Sequence, residues 1–182
     1  MTDTLHPILA AIVNELTLER ARLLDAAERV PEQWRNAAPS PDRWSAAQVL
    51  GHLVKVEASS GRLFSVHARQ LRESGAPPES STDAQAVIEA FAVHPVHRRD
   101  RPIPAPEMVQ PDADVTFEDA LDALRDGRVR LLDAITKASG LPLGSVRAPH
   151  PRLGPLTMYE WLLMIARHEA RHIGQLDELA DA

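Results

Sequence analysis

His168, Glu169 and His172 form the run His168-Glu169-Ala170-Arg171-His172 close to the C-terminus. Residues at i and i+4 of an α-helix project from one face, about a turn apart. Two imidazoles held this way can bind one divalent ion, zinc or nickel for instance, from a rigid element. The run also fits the His-Glu-x-x-His pattern of zinc proteases, with Glu169 in the place of their general base. Such enzymes take a third ligand downstream, from a later helix or after a glycine turn. Only ten residues follow His172. They hold no histidine, and the spacing of Glu178 puts it off the face of His168. A zinc hydrolase of this type is therefore the minor reading.

A third imidazole must come from elsewhere. Trp161, Ile165, His168, His172 and Gln175 share one helical stripe, so both histidines should point inward with an apolar core. Burying two imidazoles is expensive unless they share a partner. His52, in step with Val49 and Val56, is the candidate third ligand. Three neutral imidazoles leave one coordination position open to water or substrate. Gln175 and Glu57 are candidates to orient an imidazole, although Glu57 equally reads as a solvated helix charge. Glu169 and Gln175 are the candidate catalytic side chains. Glu169 is offset by about 100° from His168, so it either handles protons at the site or faces a neighbouring helix. Arg147, Arg152 and Arg171 can recognise a carboxylate, or simply be solvated. His94, His97 and His67 read as surface or packing residues, and His150 stands just before the last helix.

Four long amphipathic segments must position these groups. The first spans about Thr4–Arg29, with Pro31 after it. The second begins at Ser45, whose capping box with Gln48 satisfies two N–H groups of the first turn, and runs to about Ser74. Gly51 and Gly61 inside it point to close helix packing, or to a kink, since each weakens the helix by about 1 kcal/mol relative to Ala. The third is capped by Thr116 and runs to about Lys137. The fourth starts from a second capping box, Thr157 with Glu160, and runs to about Leu179. Between the second and third lies a proline-rich stretch, Gly75–Val115, with one short helical candidate at Asp83–Val93. It is too long for an ordinary bundle loop of roughly 2–8 residues and is expected to be a crossover or a lid. No strand stands out, and Gly140 to Pro155 reads as loop. The expectation is an all-α fold in one domain over residues 1–182: a four-helix bundle with a long proline-rich crossover.

Composition narrows the function. Hydrophobic residues make up 44% of the 182 but aromatics only 4%, so the core must be aliphatic, which favours helices over a β-sandwich. Twenty basic against 26 acidic side chains, without a basic stripe, argue against nucleic acid as a partner. No apolar run approaches the roughly 20 residues of a membrane span, and no signal peptide is apparent. Cysteine is absent. That removes disulfides, thiolate ligands and a nucleophilic protein thiol, and fits a reducing cytoplasm, where the chain is expected.

Trp44-Ser45, Gln48-Val49-Leu50-Gly51-His52-Leu53, the run Gly154 to Trp161, and His168 to Leu176 together resemble the DinB-like (YfiT-like) family. The resemblance covers roughly Leu5–Ser74 and Thr116–Leu179; the proline-rich stretch departs from it. It implies a small four-helix bundle, often a homodimer, with a divalent metal, zinc or nickel, on His52, His168 and His172. Some relatives are transferases or isomerases that use low-molecular-weight thiols such as bacillithiol or mycothiol, and others have no assigned activity. The expectation is therefore a metal-dependent enzyme that joins a small-molecule thiol to an electrophilic substrate. The alternative is a non-enzymatic, stress-associated bundle whose metal is structural or adventitious. A thiol arriving as a cosubstrate fits the absence of cysteine.

Overall fold

A computed structural model describes residues 4–99 and 104–182. Among these residues four long helices, α1 (Pro7–Glu28), α3 (Ala46–Glu73), α5 (Phe117–Lys137) and α6 (Met158–Ala180), form the bundle. The short helices α2 (Glu32–Arg35) and α4 (Ala84–Phe91) lie in the connections. The helix starts follow their caps. Ser45 Oγ accepts from Gln48 N while Gln48 Oε1 accepts from Ser45 N, at 3.2 and 3.0 Å. Thr157 and Glu160 reciprocate in the same way at 3.2 and 2.6 Å. Thr116 caps α5 alone, and Asp83 caps α4 within the expected short helical segment. Each cap contributes about 1 kcal/mol, and the two boxes start the two helices that carry the candidate histidines.

Helix directions follow from the ion pairs. Glu15 meets Arg167, Arg20 meets Glu169 and Arg29 meets Asp177, so α1 and α6 run parallel. Arg72 donates to the Lys137 carbonyl at one end of α3, and Gly51 abuts Val115 at the other, so α3 and α5 are parallel as well. Parallel neighbours demand a long return: the 28 residues of α3 rise about 42 Å, which no tight turn can retrace. The proline-rich stretch makes that return. It lays α4 against α1 and α6, then delivers a 3-10 turn, Glu107–Val109, to the first half of α3. Residues 100–103 of this stretch lie outside the described residues. Gly51 serves close packing rather than a kink, since a Cβ there would lie 3.3 Å from Val115 Cγ1, and α3 is one unbroken helix.

The segment from Gly140 to Pro155 is not loop throughout. Arg147–His150 (β1) and Gly154–Thr157 (β2) pair antiparallel, Ala148 opposite Leu156 and Pro149 opposite Pro155. Two prolines can face one another only where neither must donate an N–H, so they occupy a pair without ladder bonds. Prolines and the four-residue length erase the alternation that would mark strands. The hairpin buries Ala148 and Leu156 against α6, and the Ala148 carbonyl accepts from Trp161 Nε1 at 3.3 Å.

The interior is layered. One apolar cluster gathers Ile8, Ile12 and Leu16 of α1, Phe64 and Leu71 of α3, Ile135 of α5 and the first half of α6 through Ala166. A second gathers Leu23 and Ala27, Ala46 to Leu53, Phe117 to Leu124, and Leu176 with Leu179. Between them on α6 lie residues 167–175, and this middle layer is polar. No helix among the described residues is long and apolar enough to cross a membrane.

Candidate metal centre

The middle layer holds His52 from α3 and His168 and His172 from α6, the latter two one helical turn apart. His168 Nε2 lies 3.4 Å from His52 Nε2 and 3.3 Å from His172 Nε2. One ligand atom from each ring falls within 4.8 Å of the others, and no fourth His, Cys, Asp or Glu joins the group among the described residues. His52 and His172 are buried, at 4% and 6% exposure.

Hydrogen bonds on the far side of two rings settle which nitrogen carries the proton. His52 Nδ1 donates to the Val109 carbonyl at 2.7 Å. His172 Nδ1 donates to Gln175 Oε1 at 2.5 Å. In a neutral ring the other nitrogen is then bare, so both Nε2 atoms turn lone pairs toward His168. His168 has no partner for its buried Nδ1 among the described residues. With a single proton on Nε2 it can satisfy only one neighbour at a time. A cation shared by all three resolves that conflict. The spacing suits one: ligand nitrogens on a tetrahedral ion at about 2.0–2.1 Å stand roughly 3.3–3.4 Å apart. The donor set therefore fits a divalent ion of the zinc or nickel kind.

The rings are also kept in the ligating protonation state. Burial pushes His168 well below the usual imidazole value, and the repulsion its charged form would meet from His172, His52 and Arg171 lowers it further. Burial and His52 lower His172 to about 3, against the opposing bond to Gln175. Burial lowers His52, and its bond to Val109 opposes the shift. A neutral ring offers its lone pair without first losing a proton.

A profile of the DinB superfamily matches residues 15–176, most of the chain and all three histidines. The chain belongs to the DinB superfamily. It is 26% identical over 175 residues to the uncharacterized protein YuaE of Bacillus subtilis strain 168, across 94% of this chain and 96% of YuaE. The crystal structure of TT2238, a four-helix bundle protein, aligns with a TM-score of 0.60 at 22% identity, over 93% of this chain and 98% of that one. That likeness supports the four-helix-bundle fold of this chain.

The other expected site residues divide. Gln175 Oε1 accepts from His172 Nδ1 and so orients that ring. Glu169 does not approach the imidazoles. It is 1% exposed and sits in a second polar group of the same layer, where its Oε1 accepts from Arg20 Nε at 3.0 Å, Arg20 Nη2 at 2.5 Å and Arg128 Nη2 at 2.9 Å. Its offset of about 100° from His168 directs it between α1 and α5, away from the shared face of His168 and His172. Glu57 is neither an orienting group nor a solvated charge: it is buried, and its Oε2 accepts from Arg20 and Arg128 at 2.6 and 2.9 Å. Arg147 and Arg152 are tied to the hairpin and the crossover through the Pro155 and Pro104 carbonyls. His150 packs at a tilt against Trp161, its Nδ1 accepting from the backbone of Arg152 and Leu153.

Arg20, Glu57, Arg128 and Glu169 thus form a neutral cluster with one member from each long helix. Arg20 and Arg128 carried a sequence signal: each occupies an inward position, between Leu16 and Leu23 and between Leu124 and Leu131, where an aliphatic residue belongs. The Val109 carbonyl carried none, because a backbone group that reaches the site across a crossover leaves no mark in residue type.

Proposed function

We propose that this DinB protein is a metal-dependent transferase in which His52, His168 and His172 hold a divalent ion and a small-molecule thiol is the nucleophile. The observation that carries this reading is the convergence of three Nε2 atoms with no fourth protein ligand among the described residues. A closed structural site would supply four protein groups, whereas three leave a position for an exchangeable partner. A divalent ion held by His52, His168 and His172 would supply Lewis acidity, which favours the anionic form of a thiol near neutral pH. The chain's own residues prepare the place. Val109 and Gln175 fix the tautomers of His52 and His172, and burial keeps all three rings neutral. The thiol must come from outside, since the chain has no cysteine. In the net reaction a sulfur–carbon bond forms, the bond from that carbon to its leaving group breaks, and the thiol proton departs with the leaving group.

The hydrolase alternative loses its general base, because Glu169 is committed to Arg20 and Arg128. The test is metal analysis of wild type, His52→Ala and His168→Ala, followed by assay of 1-chloro-2,4-dinitrobenzene with a panel of thiols. Stoichiometric metal in wild type, lost in both variants, together with a metal-dependent rate for one thiol, supports the reading. Bound metal with no rate for any thiol favours the non-enzymatic bundle.

A further inference from the structure

The buried ion cluster leaves one carboxylate oxygen over. Glu57 Oε2 accepts from both arginines, whereas Glu57 Oε1 has no donor among the described residues, although the side chain is only 4% exposed. A buried carboxylate oxygen is costly without a donor. This one is aimed at α5, where a Cβ on Gly127 would lie 3.3 Å from it. Glu57 and Gly127 line a cleft of about 270 Å³ between α3 and α5, kept open by the small residues Ala58, Gly61 and Ala123. Packing does not demand the glycine at 61, since a Cβ there would meet only Leu131 Cδ1, at an ordinary 3.5 Å. The cleft is separate from the three histidines. Gly61 follows His52 by about two and a half turns of α3, which puts the cleft on the opposite side of that helix.

The charge at the mouth has one sign. Arg62 and Arg130 line the cleft, are exposed, and make no ion pair or hydrogen bond among the described residues. Arg130 Nη2 lies 3.9 Å from the same point over Gly127 that Glu57 Oε1 flanks. The cluster beneath is balanced, two arginines against two glutamates. An ammonium against Glu57 would add an unmatched positive charge beside four guanidinium groups. A neutral donor adds none, and the two unpaired guanidinium groups suit a carboxylate, which their planar forked donors match.

We propose that the cleft over Gly127 is a binding site for a small hydroxycarboxylate, whose hydroxyl donates to Glu57 Oε1 while its carboxylate meets Arg130 and Arg62. A hydroxyl is a compact neutral donor, as the narrow space between Gly127 and Glu57 requires. The site does not depend on a metal at the histidines.

The experiment is a ligand-observed NMR titration of the full chain with the ω-hydroxycarboxylates from glycolate to 6-hydroxyhexanoate, each beside the alkanoate that lacks the hydroxyl. At least one chain length should bind with a Kd of about 1 mM or tighter, and about tenfold more tightly than its alkanoate, the scale of one hydrogen bond to a charged acceptor. Gly127→Ala favours the helix and keeps every member of the ion cluster, but puts a methyl beside Glu57 Oε1, so it should bring that ratio close to one. Arg130→Gln should weaken the hydroxy acid and the alkanoate alike, by about tenfold, and leave their ratio as in wild type. Added zinc, or dialysis against a chelator, should change neither affinity, which separates the cleft from coordination at the histidines. Equal binding of hydroxy acid and alkanoate, a ratio untouched by Gly127→Ala, affinity that follows the metal, or no binding of any member below about 10 mM overturns the inference.

Discussion

Replacing Glu169 by glutamine separates two roles that the His-Glu-x-x-His run merges. In the structure the Glu169 carboxylate balances half of the positive charge in a buried cluster of two arginines and two glutamates. Glutamine keeps the shape but leaves Arg20 and Arg128 facing Glu57 alone, a net buried charge of about +1. Removing one partner of a buried ion pair costs about 3–5 kcal/mol, because the remaining charge is neither hydrated nor matched. The three N–H bonds to Glu169 Oε1 place this residue at no less than the lower end of that range. Against a urea slope of about 2 kcal/mol/M, the midpoint should fall by roughly 1.5–2.5 M. Pairing the change with Arg128→Met restores a balanced pair of Arg20 with Glu57. The double variant should therefore lose less than the two single losses added, with a coupling of about 1–3 kcal/mol.

The assay is urea unfolding of metal-free protein, followed by circular dichroism, with zinc content measured separately on folded samples. Glu169→Gln should be clearly destabilised and still bind stoichiometric zinc at low urea. A general base of a metallohydrolase would behave in the opposite way, with unchanged stability and turnover reduced by about 10²–10⁴. A variant that unfolds within about 0.5 kcal/mol of wild type, the range of ordinary surface substitutions, would refute the assignment of Glu169 to the cluster.

Further outcomes follow from the same layer. Gln175→Ala removes the acceptor of the His172 Nδ1–H and should weaken zinc binding by about 10–100-fold in a chelator competition, with little change in unfolding midpoint. His168→Ala should abolish stoichiometric zinc in elemental analysis, because it deletes the ring common to both short nitrogen contacts. Metal-free protein should lose stability as pH falls. The folded rings are held below 6.5, so between about 6.5 and the folded value the unfolded chain binds the extra proton. For His172 that window runs from 6.5 to about 3. Each ring contributes a slope of up to about 1.4 kcal/mol per pH unit inside its window and none above it. Urea unfolding at about pH 7.5 and about pH 5.5, on either side of the upper edge of that window, checks the sign, and His172→Gln should have the shallower dependence.

Much of this arrangement was legible in the sequence because helices write their faces at a regular spacing. The stripe through Trp161, Ile165, His168 and His172 gave the inward face of α6, and Ser45 and Thr157 marked the helix starts to within a residue. What stayed hidden was hidden for physical reasons. The direction of α5 depends on where the crossover delivers the chain, and prolines restrict that path without encoding its end point. The strands of the hairpin are too short for a period to show. Glu57 and Glu169 could be placed only after Arg20 and Arg128 were, since whether a buried carboxylate is tolerable depends on partners from two other helices.

His168 and Glu169 are adjacent in the chain and face different interiors. The angular step of one residue turns His168 toward α3, where it meets His52, and Glu169 toward α1 and α5, where it meets Arg20 and Arg128. The two polar groups therefore share a backbone but not a partner set. The ion cluster ties α6 to α1 and α5 on one side, and the histidines meet His52 on another. In a bundle, His-Glu-x-x-His can thus encode two ligands and one helix anchor. Only a third ligand downstream, with the carboxylate turned to the metal, would make the same five residues a hydrolase motif. If the cluster sets the rotation of α6, variants that weaken it must loosen the metal site in proportion to the loss of helix register. Zinc affinity measured across Glu169→Gln, Arg128→Met and their double variant should accordingly recover along with stability in the double variant. A zinc affinity that ignores the recovery would mean that the histidines are positioned by their own packing alone.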